Sequence, residues 1–393
     1  MKEIGFIEKI ACIFILSGSI LISCNSEHPL EKASLEATSE MVSFSVGTNS
    51  SQFIKSLSVF TDSLGNDYLT FQSNEYPEIY VYDMKDQKLV KTIIYQREGA
   101  DGIGPKAAGY MMKDWNEIYV PNLYKPEISV IDSSGHKLQV LDLTRWNQDY
   151  SPVPTRSVVG NPFVIHQGIL YCMQLPNPYK LNRDDMMSPT DISVCLDGDG
   201  GVKSLPMAYP RKIADCFGKP SLGIEQGMSR CFNGEDFVYS FAFDENIYIF
   251  SPKNGEVRKK EIKSRYIEDL KFPDHIPNDF NLAVKMMCEL PFYSHLVYDE
   301  FRQLYYRFVF PRMDLNNDEN FAELWQSGRN QFSVMILDKE LNVLGETLLP
   351  ENHYRSNLFY ITEKGLYISE SHYKNPSFND DSLIFRLFVV SEL

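Results

Sequence analysis

The sequence predicts an all-β protein, a six-bladed β-propeller with a short helical insertion between the fourth and fifth repeat motifs. Three observations indicate this fold. A short apolar motif followed by a polar turn recurs six times along the chain. Aromatic residues make up 13% of the chain, with 25 Phe and 23 Tyr, and such side chains favour extended, half-buried surfaces. The repeats also continue evenly through the middle of the chain, where the rival architecture, a pair of β-sandwiches, needs a linker.

The repeat is clearest in its first two copies, PEIYVYD at 77–83 and PEISVID at 126–132. Weaker copies follow at 192–197, 247–251, 334–338 and 387–391. From the first apolar residue of each copy to that of the next, the steps are 49, 64, 55, 87 and 53 residues. Strands and turns alternating at such a period are typical of propeller blades, each of which is a small antiparallel sheet.

The long fourth step contains segments with helical periodicity. Residues 264–272 and 278–290 show it, with Asn278 as the expected cap of the second, and residues 318–328 predict a short helix that a glycine ends. We expect these inserts to emerge from one face of the propeller, either to shape a pocket there or as packing elements alone.

The two ends of the chain are expected to meet in one blade. The sixth motif ends close to Leu393, so the last blade lacks an outer strand of its own. The alternating segment MVSFSV at 41–46 is suited to supply that strand, which removes two exposed sheet edges.

The N-terminus predicts export. A charged start is followed by an apolar run from Ile10 to Ile22, which is too short to span a bilayer of about 30 Å as a helix. Leu21 to Cys24 resembles the lipobox of bacterial lipoproteins, which implies that residues 1–23 are a signal peptide and that Cys24 is lipidated. An ordinary cleaved signal with an incidental cysteine is the alternative. We assign residues 24–50 to the lipidated cysteine and a flexible tether, because this segment is rich in Ser, Glu and Thr. The propeller domain is expected at 51–393.

Charge and cysteine content limit the partners. The net charge of −15 disfavours nucleic acid, so we expect none, and it implies that the lipid holds the protein at the membrane without help from a basic patch. We expect a monomer. Five cysteines remain in the mature chain besides Cys24, at irregular spacing, which favours small buried hydrophobes over a disulfide framework or a zinc site. Cys216–Cys231 is the least implausible pair.

The lipobox, the serine-rich tether, the aromatic blades and the GADGIGP connection at 99–105 together resemble the six-bladed propeller lipoproteins common in Bacteroidetes. Many of these carry only a domain-of-unknown-function label. The resemblance implies a lipid-anchored protein of the bacterial cell envelope, at the outer membrane, with the periplasmic or surface face left open. It transfers no catalytic residue.

The sequence contains no known catalytic motif: G-x-S-x-G, H-E-x-x-H and a P-loop are all missing. Asp314, Asn316 and Asp318 fit the first positions of a calcium loop, but Glu319 and Trp325 stand where such a loop needs Gly and Glu. We therefore predict no catalytic residue, no metal and no cofactor.

Basic residues recur at the starts of four blades, at Arg156, Arg230, His295 and Arg355. Because a propeller chain enters each blade at its innermost strand, we expect these side chains around one opening, where they can bind a carboxylate, a phosphate or an acidic sugar. Arg307 joins them if its side chain points inward. The alternative is that the arginines pair with acids of neighbouring blades and brace the channel.

Two functions follow from this pattern. The first is a non-catalytic, lipid-anchored propeller that binds an anionic small molecule, a glycan or an envelope protein. Loop aromatics that can stack on a sugar support the glycan, namely Trp115, Tyr124, Trp146 and Trp325. The second is an envelope hydrolase or lyase acting on carbohydrate or peptide at the propeller funnel, which needs converging acids and bases that no local motif supplies.

Overall fold

The computed structural model describes residues 32–46, 54, 56–73, 75–144, 154–174, 189–196, 201–215 and 227–392. Their strands form six antiparallel sheets, each of which is one blade. The predicted six-bladed propeller is therefore confirmed. The signal peptide, Cys24, Trp146 and Cys216 lie outside the described residues.

Within a blade, the strands follow one another in sequence order across the sheet. Blade 1 consists of β2 (Leu57–Thr61), β3 (Asp67–Gln72), β4 (Glu78–Asp83) and β5 (Lys88–Ile94). Blade 2 consists of β6 (Met111–Asp114), β7 (Glu117–Pro121), β8 (Glu127–Ile131) and β9 (Lys137–Asp142). Blade 3 has two short inner strands, β10 (Thr155–Arg156) and β11 (Val164–His166), followed by β12 (Ile169–Gln174), β13 (Asp191–Cys195) and β14 (Val202–Ser204).

The remaining blades have the same organisation. Blade 4 consists of β15 (Met228–Phe232), β16 (Phe237–Phe241), β17 (Asn246–Phe250) and β18 (Val257–Glu261). Blade 5 consists of β19 (Phe292–Asp299), β20 (Leu304–Phe310), β21 (Ser333–Leu337) and β22 (Val343–Leu348). Blade 6 consists of β23 (Arg355–Thr362), β24 (Gly365–Ser369), β25 (Ser382–Glu392) and the N-terminal β1 (Ala33–Ser45).

All six sequence motifs fall in the third strand of their blade, in β4, β8, β13, β17, β21 and β25. This strand is paired on both sides, and in blades 1, 2 and 5 it is also buried on both faces, so apolar residues follow one another without the alternation of a half-exposed strand. In β4, for example, the four residues from Ile79 to Tyr82 are all buried. In blades 1, 2 and 5 the motif thus marks a strand that is buried on both faces.

The chain closes as expected, but with a longer strand. β1 pairs with β25 from Ala33 opposite Glu392 to Ser45 opposite Ser382, with a register shift between Ala37 and Met41. The closing strand predicted at 41–46 is therefore confirmed for residues 41–45, whereas the assignment of residues 33–40 to the tether is wrong. Ala33 and Leu35 alternate with exposed polar residues on the outer edge of the blade, and this polar composition conceals the strand.

The helices agree in part with the prediction. α1 (Arg211–Ala214) precedes blade 4, α2 (Phe280–Glu289) precedes blade 5, and α3 (Phe321–Ser327) lies between β20 and β21. The short helix expected at 318–328 is α3, which Gly328 ends at a positive φ of 96°. The cap of α2 is Asp279 and not Asn278, since the Asp279 carboxylate accepts the Leu282 amide at 2.9 Å.

The helix expected at 264–272 does not form. The carboxylate of Glu346 accepts hydrogen bonds from Ser264 Oγ at 2.7 Å and from the Arg265 amide at 3.0 Å. A buried carboxylate of blade 5 therefore fixes the start of this connection, and a local propensity for helix is overridden.

In each meander, the connection between blades and the turn between the second and third strands lie at the same end of the sheets. We call this end the upper face. It carries all three helices and the GADGIGP connection, and the sequence inserts are thereby collected on one side of the propeller.

Candidate functional site

Arg230 is buried between two blades. Its guanidinium pairs with Asp191 of blade 3 at 3.1 Å, donates to the Pro162 carbonyl at 2.7 Å and stacks 4.9 Å above the ring of Phe237. Both charged side chains are fully removed from solvent. Arg230 therefore braces blade 4 against blade 3, and the expectation that it faces a ligand is wrong.

Arg307 is a second brace. It lies on β20 of blade 5, and its donors reach Ser240 Oγ at 2.9 Å, the Asp244 carbonyl at 2.8 Å and the Ile262 carbonyl at 2.9 Å, all contributed by blade 4 and the segment that leaves it. The guanidinium also stacks 3.4 Å from the centre of the Tyr293 ring. Burial lowers the pKa of Arg307 to about 10, which leaves it charged at neutral pH. Its hydrogen-bonding capacity is used within the fold, so it is not a ligand-facing residue.

His295 lies where the inner segments of the blades meet. A Cβ placed on Gly160 of blade 3 comes within 2.4 Å of His295 Nδ1, and Ser229 Oγ of blade 4 donates to the Gly160 carbonyl at 2.8 Å. Burial lowers the pKa of His295 to about 4. The imidazole is therefore neutral at physiological pH and cannot supply the positive charge expected of it.

Arg156 and Arg355 occupy different surroundings. Arg156 is partly buried at the end of the short strand β10, and burial lowers the pKa of its guanidinium. Arg355 is 2% exposed, and its pKa is lowered to about 10 because it is buried. Three of the five predicted residues are thus buried arginines, so the predicted arrangement around one open mouth is not formed.

A group of buried polar atoms surrounds Arg355 beneath α3. Ser356 Oγ and Asn330 Oδ1 have no hydrogen-bond partner among the described residues, whereas His372 meets the Gly328 backbone. His372 Nδ1 accepts from the Lys374 amide at 3.3 Å, so the neutral ring carries its proton on Nε2. Burial, followed by repulsion from Arg355, lowers the pKa of His372 to about 4. Buried atoms of this kind need water or a small polar group as partner.

An open cavity of 230 Å³ lies on the upper face between blades 1 and 2. Its floor contains the buried Gln72 and Tyr95, whose amide and hydroxyl are hydrogen-bonded at 3.0 Å. Exposed Arg97 and Lys106 stand on its wall, one on each side of the GADGIGP connection, and Tyr76 is exposed at its rim. This cavity brings cations, an aromatic ring and hydrogen-bonding groups to one solvent-accessible place.

The GADGIGP connection owes its shape to internal contacts. The amides of Ile103 and Gly104 donate to the carbonyls of Gln96 and Arg97 at 2.9 and 3.1 Å. Lys137 of blade 2 donates to the Gly102 carbonyl at 2.7 Å. The loop therefore holds Arg97 and Lys106 on a fixed frame.

Arg97 is oriented by a hydrogen bond and makes no ion pair with the described residues. Its Nη2 donates to the backbone carbonyl of Glu75 at 2.6 Å, and a carbonyl carries no net charge. Sequence reasoning missed Arg97, Lys106 and Tyr76 as site residues. The available signal was the GADGIGP motif itself, which is flanked by the two cations.

Other predicted features have structural explanations. Trp115 packs edge-on against Phe60 and Tyr68 at 5.4 and 5.2 Å, so it belongs to the packing of blade 1 on blade 2. Tyr124 and Trp325 are exposed. Cys172, Cys231 and Cys288 are free thiols, and Cys216, the partner considered for Cys231, lies outside the described residues. Within the described residues there is no cluster of metal-ligating side chains and no helix long and apolar enough to cross a bilayer.

Comparison with known proteins places these features in a family. The family model described as Domain of unknown function (DUF4221) matches residues 32–348. A crystal structure of a DUF4221 member from Bacteroides vulgatus is 23% identical, covers 92% of this chain and 99% of its own, and superposes with a TM-score of 0.78. A Bacteroides fragilis protein named for its expected export is 11% identical over 91% of this chain and 95% of its own, with a TM-score of 0.49. No curated protein sequence matches the chain. The expected resemblance to a propeller family of unknown function is confirmed, and the lipid anchor stays a prediction.

Proposed function

This chain belongs to the DUF4221 family. We propose that it is a propeller held in the bacterial cell envelope by lipid on Cys24, where it binds a small anionic ligand. The binding site is the upper-face cavity between blades 1 and 2. The protein acts there as a receptor and not as a catalyst.

The proposal rests mainly on Arg97, which lies at the wall of an open cavity and makes no ion pair with the described residues. A guanidinium held in place by a neutral acceptor keeps its remaining donors for a carboxylate or phosphate, which it can bind with two parallel hydrogen bonds. Lys106 adds a second positive charge on the same wall.

The dimensions of the cavity favour a single-ring ligand. Its 230 Å³ lies below the range of about 300–1,000 Å³ typical of sites for drug-sized molecules. The exposed ring of Tyr76 offers a face for stacking, and Gln72 offers a polar floor. An acidic monosaccharide combines the ring, the hydroxyls and the negative charge that these groups recognise.

The carboxylates of the cavity support binding over glycoside hydrolysis. That reaction commonly needs two carboxyl groups flanking the bond to be broken. Among the described residues that line the cavity, Glu75 is the one carboxylate.

Thermal shift and titration calorimetry with uronic acids, sugar phosphates and dicarboxylates test the proposal. We expect a stabilising ligand whose affinity falls about 10-fold or more in Arg97→Ala, because a charged hydrogen bond contributes about 1.5–3 kcal/mol. Lys88→Ala, which removes an exposed cation from the outer strand of the same blade, is the matched control and keeps the parent affinity. Equal affinity of parent and Arg97→Ala for every anion that binds contradicts the site.

A further inference from the structure

A basic groove lies at the outer edges of blades 4 and 5. This second cavity has a volume of 320 Å³, and its lining includes Arg258, Lys259 and Lys260 of β18 and Lys339 of the turn between β21 and β22. We propose that this groove is a membrane-contact surface that binds the phosphates of anionic lipid headgroups. The argument uses the lipid anchor of the proposed function to decide which partner the groove meets.

The charge of the groove is opposite to that of the whole molecule. Four cations line it against two acids, Asp236 and Glu340, while the chain carries a net charge of −15. Arg258 pairs with Asp236 at 3.1 Å and Lys339 pairs with Glu340 at 3.7 Å, so Lys259 and Lys260 are the cations in excess of the two acids. Lys260 donates to the Glu340 carbonyl at 2.8 Å and to Asn342 Oδ1 at 2.7 Å, and neither acceptor is charged. A positive surface therefore remains in this part of an acidic protein.

The groove lies beside the point where the chain enters from its N-terminus. The Lys32 amide donates to the Leu344 carbonyl on the outer strand of blade 5 at 2.8 Å. Leu341 lines the groove and precedes Leu344 by three residues, or about 10 Å along an extended chain. A Cβ on Gly345 comes within 1.8 Å of the Ala33 carbonyl oxygen, so the chain entry is pressed tightly against this edge.

Because few residues separate Cys24 from the first strand, a lipid on Cys24 holds this edge of the propeller near the membrane. Eight residue steps separate Cys24 from Lys32, and an extended chain spans at most about 3.5 Å per residue, so Lys32 lies within about 28 Å of the Cys24 backbone. The segment between Cys24 and the first strand is thus much shorter than the 26-residue tether expected from composition. The junction of blades 5 and 6, beside the blade 5 side of the groove, is therefore the part of the propeller that this short segment holds closest to the bilayer.

Anionic headgroups then fix the orientation of the propeller. Each Lys or Arg near an anionic surface raises the binding constant about fivefold, and a basic patch commonly serves as a second signal beside acyl chains. The acidic remainder of the molecule is repelled by the same surface. The expectation that the lipid acts without help from a basic patch is replaced by one in which anchor and groove act together.

Vesicle sedimentation of the chain carrying Cys24→Ser tests the groove without the acyl anchor. We expect binding to phosphatidylcholine vesicles that contain phosphatidylglycerol, weakening with added salt, and little binding to phosphatidylcholine alone. Replacing Lys259, Lys260 and Lys339 by Ser weakens binding about 100-fold, and replacing only Lys259 and Lys339, which keeps the contacts of Lys260, weakens it about 25-fold. The matched control replaces Lys85, Lys88 and Lys91 of blade 1 by Ser, the same change in charge elsewhere, and keeps the parent binding.

Three outcomes overturn the proposal: equal binding to both kinds of vesicle, equal loss in the groove variant and its control, or a groove that binds inorganic phosphate and no vesicle. Its failure is separable from that of the proposed function. An unacylated Cys24 in the mature native protein, measured by mass, contradicts the lipid anchor and leaves the vesicle result of the Cys24→Ser chain to stand alone.

Discussion

At the scale of single residues, buried arginines connect neighbouring blades. Arg230 reaches from blade 4 to Asp191 of blade 3, and Arg307 reaches from blade 5 to carbonyls of blade 4. Arg329 makes a similar connection to a helix, since it donates a hydrogen bond to the Leu290 carbonyl at the end of α2 at 2.9 Å. A guanidinium suits this role because its five donors satisfy several acceptors at once.

Two buried histidines predict how stability depends on pH. The pKa values of His295 and His372 are lowered to about 4 because burial disfavours their charged forms, whereas an unfolded chain titrates near about 6.5. Their contribution is fully present above about pH 6.5 and is lost as the pH falls towards about 4. We expect the free energy of unfolding to drop by about 1–2 kcal/mol per histidine between pH 7.5 and pH 5, measured by urea unfolding.

The matched variants for this prediction are His295→Gln and His136→Gln. The first removes a buried imidazole and flattens the acid limb of the stability profile. The second changes an imidazole whose side chain is 70% exposed and keeps the parent profile. A parent protein equally stable at pH 7.5 and pH 5 contradicts the prediction.

At the scale of elements, β1 closes the propeller. It covers the free edge of β25 along its length, and Phe44 is fully buried against Tyr82 of blade 1 and Phe385 of blade 6 at 5.6 and 6.2 Å between ring centres. The strand therefore joins the first and last blades by both backbone pairing and side-chain packing.

We expect deletion of residues 32–46 to lower the melting temperature strongly and to cause aggregation, because it exposes the edge of β25 and uncovers the apolar surface around Phe44. Light scattering during a thermal melt measures both effects. Deletion of residues 25–31, which precede the strand, is the control and leaves melting unchanged. Equal melting of the two truncated proteins excludes a closing role for β1.

At the scale of the whole molecule, the proposed lipid anchor and the proposed membrane groove lie on neighbouring parts of the propeller. The chain enters at blade 5, and the basic groove lies between blades 4 and 5. The ligand cavity lies between blades 1 and 2 on the upper face. The two proposed sites are therefore on separate parts of the propeller, and we expect ligand binding and membrane contact not to compete.

We expect Cys24→Ser to move the protein from the membrane fraction to the soluble fraction and to remove the mass added by acylation. Residual membrane association is weak and is abolished by high salt, because only the groove remains to hold it. Fractionation at low and high salt, with intact mass, makes the measurement. A variant that stays membrane-bound in high salt contradicts the lipid anchor.

The sequence alone determined the fold and the position of the repeat motif within each blade. The motif recognised at 77–83 and its five copies mark the third strand of every blade, because that strand is paired on both sides and its apolar run is a local property. The closing strand and α3 were also visible, since alternation, caps and a terminal glycine depend on near neighbours in the chain. The Ser- and Glu-rich start of β1 was not visible, because an outer strand buries only every second side chain.

The tertiary structure alone decided which basic residues connect neighbouring blades and which remain available to bind a ligand. Arg230 and Asp191 are 39 residues apart, and the acceptors of Arg307 belong to the preceding blade, so no local pattern reports either contact. The upper-face cavity is likewise assembled from segments 72–77 and 95–107, and the basic groove from two blades and a turn. A repeat places equivalent residues at equivalent positions in each blade. The neighbour that each side chain contacts, however, comes from an adjacent blade. That neighbour determines whether a charge is paired within the fold or is left to bind a ligand.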